Sequence, residues 1–185
     1  MNKPLTNSQT TFGFISVREV AGLGHCGGLL IVSQIGRPIE FHCSAPVAIN
    51  RAQRILYGRT YETFLYCEQI GLALIDKAKT KPQLYIANCG PMLSLNTLID
   101  VPAVVLGDEQ NAEFFANPAD FGLHCQATSF DMDCQTLWLP GGHLEQPHRL
   151  KIVRTLMEAF TKSLPLDEPF ERIQKAIEEA HAVAR

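Results

Sequence analysis

Hydrophobic patterning along the chain is clearest between Gly27 and Ala78. Leu29 to Ser33 is apolar enough for a central strand, and Gln34-Ile35-Gly36-Arg37 turns the chain. In the next stretch Ile39, Phe41 and Cys43 alternate with Glu40, His42 and Ser44, which predicts a strand with one apolar and one polar face. Pro38 suits its first position, where no ladder donor is needed. Upstream, Phe12 to Val20 mixes β-branched, aromatic and polar residues in strand fashion. The segment between, residues 21–28, has four glycines in seven residues from Gly22 to Gly28 and reads as a turn or loop. The opening third is therefore expected to be an antiparallel three-stranded meander, preceded by a disordered lead-in over residues 1–11.

A helical period follows. Asn50 is placed to cap a helix whose apolar positions begin with Ala52, Ile55 and Leu56. Gly58 interrupts it, so a kink or two helices is expected at Tyr57-Gly58-Arg59. Beyond it Phe64, Cys67, Gly71, Leu74, Ile75 and Ala78 recur at helical spacing, and Pro82 ends the run. This long helix should cross the meander. Further strands are expected over residues 83–88, 101–106 and 134–139, with a short helix over 109–116; residues 121–128 carry no clear pattern. Two helices close the chain, with Leu150, Val153, Met157, Phe160 and Leu164 on one stripe and Phe170, Ile173, Ile177, Ala180 and Ala184 on the other. The fold class is α/β, with α+β possible, and residues 12–185 are expected to form a single domain.

Composition adds bounds rather than a function. Hydrophobic residues make up 46% of the 185 and charged residues 19%, an ordinary globular mix. A net charge of −3 and no run of Lys or Arg argue against a nucleic-acid partner. The polar N-terminus lacks an apolar signal core, and the longest apolar runs are too short to span a bilayer, so a cytoplasmic protein without a membrane partner is expected. In that compartment the six cysteines read as reduced thiols rather than a disulfide framework.

Three kinds of site are legible. Three adjacent His-Cys pairs stand out: His25-Cys26, His42-Cys43 and His124-Cys125. Imidazole and thiolate are zinc's preferred ligands, so His25, Cys26, His42 and Cys43 are a candidate metal set with zinc as the possible cofactor. The hairpin leaves Cys26 roughly 10 Å along the strand from the partner of His42, a gap that a curled Gly-rich loop would have to close. Two features count against it: adjacent strand residues face opposite ways, and no C-x-x-C occurs. Second, three predicted strands end in reactive residues. Cys89 as nucleophile, His143 as base and Asp108 as orienting carboxylate would make a thiol hydrolase or transferase site. Third, Arg51, Arg54, Tyr57 and Tyr61 form an arginine-and-tyrosine helix face of the type favoured at protein interfaces. Gly142-His143-Leu144-Glu145-Gln146-Pro147-His148 reads as capping residues. The Gly-rich stretch matches no phosphate-loop pattern.

With no complete catalytic signature, the expectation is a non-catalytic accessory protein that binds a protein partner and no nucleic acid. The thiol enzyme and the small zinc protein are the alternatives. Oligomeric state is not readable.

Overall fold

Strands β1 (Thr11–Val20), β2 (Gly24–Ser33) and β3 (Pro38–Cys43) make the predicted meander. In this computed structural model residues 10–48, 50–107, 112–121, 127–132, 135–141 and 147–182 are described. Most of the expected lead-in lies outside them, but Thr11 already belongs to β1. Strands β4 (Leu84–Ala87) and β5 (Ala103–Leu106) run parallel to β1, and β6 (Ala127–Met132) and β7 (Gln135–Pro140) form an antiparallel hairpin beyond β5. The result is a mixed α/β sheet of seven strands in the order β3-β2-β1-β4-β5-β7-β6.

Both faces of that sheet are covered, which explains why β2, β4 and β5 are apolar almost throughout instead of alternating. One face packs under the crossing helical segment, the 3₁₀ stretch Gly90–Thr97 and α4 (Ala112–Ala116). The other packs under α5 (Pro147–Thr161) and α6 (Glu168–Ala182), where Phe12 and Phe14 meet Phe160 and Phe170 at ring distances of 4.9–5.3 Å. Val153, Met157, Phe160, Ile173 and Ile177 are all essentially fully buried there, each contributing about 1.5–3 kcal/mol of apolar transfer.

The crossing segment is broken rather than continuous. It comprises α1 (Arg51–Tyr57), a 3₁₀ turn, α2 (Tyr61–Thr63), a π-helical stretch Phe64–Gly71 and α3 (Leu72–Lys77). The break falls at Gly58, whose φ of +53° is one that side chains resist. The expected stripe from Cys67 to Ala78 is buried as predicted, but Ile55 and Leu56 are not: they are 71% and 83% exposed, and α1 buries no residue. Asn50 caps α1, its side chain accepting from Ala52 N–H and Gln53 N–H.

The Gly-rich segment is strand, not loop, from Gly24 onward. Gly22 and Gly24 take positive φ in the tight β1–β2 turn. Gly27 and Gly28 serve the two faces of β2. A Cβ on Gly27 would overlap Ile70 Cγ2 of the π-helical stretch, and one on Gly28 would overlap Ile173 Cγ2 of α6. Helices therefore approach β2 from both sides at adjacent residues. Among the described residues no helix is long and apolar enough to cross a membrane.

Candidate metal centre

Cys43, the last residue of β3, pairs opposite Gly28 of β2. Cys26 lies two residues from Gly28 along β2 and so shares its face. The two cysteines are diagonal neighbours across an antiparallel ladder, and their Sγ atoms stand 3.5 Å apart. The third member comes from the far end of the sequence. The buried stripe of α6, Phe170, Ile173 and Ile177, continues at helical spacing to His181. Because Gly28 has no side chain, α6 settles directly on β2, and His181 Nε2 reaches 3.1 Å from Cys26 Sγ. The three potential ligand atoms all lie within 4.8 Å of one another.

Dimensions and polarity both suit a cation. With Zn–S about 2.3 Å and Zn–N about 2.0–2.1 Å, a tetrahedral site has S···S edges of about 3.8 Å and S···N edges of about 3.6 Å. The observed 3.5 and 3.1 Å are slightly inside those values. A disulfide fits less well, since its sulfurs stand about 2.05 Å apart and these stand at 3.5 Å. Cys26 Sγ faces Cys43 Sγ, His181 Nε2 and, at 3.0 Å, the Ser44 carbonyl oxygen, and it accepts from the Ser44 hydroxyl at 3.8 Å, so four polar groups crowd one buried sulfur. Burial, followed by the neighbouring Cys26 sulfur, pushes the Cys43 thiol up to about 12. A coordinated cation reverses that logic by deprotonating thiols outright.

Around the cluster, Arg18 is the cross-strand partner of Cys26 and its guanidinium is 2.6 Å from Glu178 of α6. A cavity of about 330 Å³ opens beside it, lined by Arg18, Val20, Leu23, Ile177, Glu178 and His181. Cys26 itself is 0% exposed. A thiol so enclosed is shut off from an acyl substrate, so the geometry of this Cys-His contact suits holding an ion better than nucleophilic attack.

Of the metal set expected from sequence, Cys26 and Cys43 are brought together while His25 and His42 are carried to the opposite face of the hairpin. His25 packs at a tilt of 48° against Tyr66 with ring centroids 5.5 Å apart, and its Nδ1 is buried with no hydrogen-bond partner among the described residues. His42 Nε2 lies 2.6 Å from Glu40. Glu40 also accepts from Lys79 N–H and Thr80 N–H at 2.9 and 2.8 Å, and these bonds, Lys79 first and then His42, hold its carboxyl down at about 2. His181 was missed because its only signal is one more helical step along the α6 stripe, at a separation of 155 residues from Cys26.

The thiol-enzyme set is only partly in view. Cys89 follows β4 at the head of the 3₁₀ stretch, whereas Asp108 and His143, like His124 and Cys125, lie outside the described residues. In the interface set Arg51, Arg54 and Tyr57 are exposed on α1, but Tyr61 is 6% exposed and packs into the core, which takes it off that face. A larger cleft of about 590 Å³ lies at the carboxyl end of β1, lined by Glu19, His25, Arg54, Arg59, Glu62 and Tyr66 among others. Its charges are mixed, with Arg59 held 3.0 Å from both Glu113 and Asp120.

No protein-family model matches this chain, and no curated protein matches its sequence. Solved structures with a related arrangement do exist. Endonuclease V from Ciona intestinalis, in complex with inosine-containing DNA, is 7% identical with a TM-score of 0.40, covering 74% of this chain and 72% of that one. The catalytic domain of human endonuclease V is 14% identical with a TM-score of 0.41, covering 73% and 69%. The Bacillus subtilis endonuclease V is 10% identical at 0.36, covering 71% and 65%. Three expectations run against these neighbours and are withdrawn: the non-catalytic accessory role through protein–protein contacts, protein binding as the chain's character, and the exclusion of nucleic acid. The charge argument behind the last was weak physically, because a net charge of −3 is an average and does not describe any one surface. Identities and scores this low transfer no residue and no chemistry to the present chain.

Proposed function

We propose that this chain is a metal-holding protein that binds one zinc-class ion through the Cys26 and Cys43 thiolates and the His181 imidazole. The observation that carries the reading is the convergence of two sulfurs and one ring nitrogen within 4.8 Å of one another. A soft S₂N donor set selects Zn²⁺ and its neighbours over Mg²⁺ or Ca²⁺. The ligands come from β2, β3 and α6, so the bound ion would tie the two ends of the sequence together. Binding energy would then appear as folding energy. Thiolate ligands require a reducing compartment, which favours a cytoplasmic location, and the shared ion favours one domain over residues 12–185.

Native mass spectrometry of protein purified without chelator tests the reading. One zinc-sized mass increment per chain is expected, lost in Cys43→Ser and His181→Ala. Metal-free wild-type protein that takes up no Zn²⁺ on addition overturns it.

A further inference from the structure

We infer that the main-chain carbonyl of Ser44 is the fourth donor, so that the site is closed and its ion structural. This rests on the metal-holding reading above and adds to it the coordination number, the choice of metal and the role. Ser44 is pinned to β2 twice: its N–H donates to Gly27 O at 2.9 Å, and its Oγ accepts from Gly27 N–H at 2.9 Å. Those bonds engage both other polar groups of the residue, and the hydroxyl also donates to Cys26 Sγ at 3.8 Å. They leave the carbonyl oxygen 3.0 Å from Cys26 Sγ and 3.5 Å from Cys43 Sγ.

With Zn–O about 2.0–2.2 Å, a tetrahedral S···O edge is about 3.6 Å, close to the distance from Cys43 and longer than the one from Cys26. Two sulfurs and an oxygen thus form a triangle with edges of 3.0–3.5 Å, and His181 Nε2 stands 3.1 Å from its Cys26 corner. Three of the four donors sit on the β2–β3 end and one on the last turns of α6. A carbonyl is a hard donor, so an S₂NO set favours Zn²⁺ or Co²⁺ over Cu⁺. Four protein donors leave no position for water or substrate, which is the mark of a structural rather than a catalytic zinc site.

Loading the full chain with Co²⁺ tests this through its visible spectrum. Thiolate-to-cobalt charge transfer and intense tetrahedral bands are expected, unchanged by excess azide because no position is open. Ser44→Ala, which removes the Oγ lock, should weaken Zn²⁺ binding roughly tenfold and make the cobalt spectrum azide-sensitive, and Ser44→Thr should restore both. An azide-dependent shift in wild-type protein overturns the closed site while leaving metal binding intact, as does Ser44→Ala with wild-type affinity and no azide response. Failure to bind Co²⁺ at all overturns the metal-holding reading and this inference with it.

Discussion

The two faces of the β2–β3 hairpin start from the same materials and end differently. Each carries one residue of His25-Cys26 and one of His42-Cys43, because adjacent strand residues point in opposite directions. On the α6 face the two cysteines meet a third donor from another element and form a cluster. On the opposite face the two histidines find separate partners, His25 an aromatic ring and His42 a carboxylate. What separates the outcomes is the element that arrives above each face. The α6 helix presents an imidazole in line with its apolar stripe. The π-helical stretch and α3 present only Ile70 and Leu74 to Gly27.

Breaking the contact that seats α6 should have the largest effect. Gly28→Val drives a branched side chain into Ile173 and Ile177; we expect a loss of about 1–3 kcal/mol and abolition of zinc binding as His181 is lifted away. Gly27→Val strikes Ile70 on the other face and should cost comparable stability while leaving zinc affinity within a few-fold. Urea unfolding in chelator, paired with zinc competition against a chromophoric chelator, separates the two. Equal loss of metal in both variants would show that the faces are not independent.

Next in size are the ligand changes. Cys43→Ser should weaken zinc by more than about 100-fold, exceeding the penalty for losing a residue that only orients a ligand, while His42→Ala leaves it unchanged. Isothermal titration with Zn²⁺ reads this directly, and an effect of His42→Ala on zinc affinity would undo the division between faces.

Acid sensitivity sharpens the histidine face. Glu40 is held at about 2 against an ordinary 4.5, so its folded state favours the ionised form. Its stabilisation is complete above pH 4.5 and disappears as the pH falls towards 2. Glu40→Gln should therefore be less stable than wild type near neutrality and flatter between those limits, in urea midpoints measured across pH. An acid limb identical to wild type would place the titration elsewhere.

The smallest change is His25→Phe, which keeps the ring contact with Tyr66 and removes an Nδ1 that has no partner among the described residues. Thermal melts should show it neutral or stabilising by about 1 kcal/mol. A marked loss would mean that this nitrogen has work the described residues do not reveal.

Patterning made much of the fold legible. The meander, the stripe from Cys67 to Ala78, the break at Gly58 and the paired C-terminal helices all follow from periods of 2 and 3.6 and from glycine. Two errors have physical reasons. Strand β6 was not recognised because it lies at the sheet edge and only Phe130 of its residues is deeply buried, so its alternation is faint. α1 was expected to bury Ile55 and Leu56, but an amphipathic pattern only permits docking, and the turn at Gly58 sends that helix away from the core.

Residue by residue, the sequence determined which side chains share a face: Cys26 with Gly28, His25 with Gly27, Ile173 with Ile177 and His181. Those relations are local, set by backbone geometry within one element. Only the tertiary structure decided that α6 crosses β2 over Gly28 and brings His181 to the cysteines, because that choice is made by the fit of two surfaces far apart in the chain. Local periodicity carries no record of which partner an apolar stripe will find.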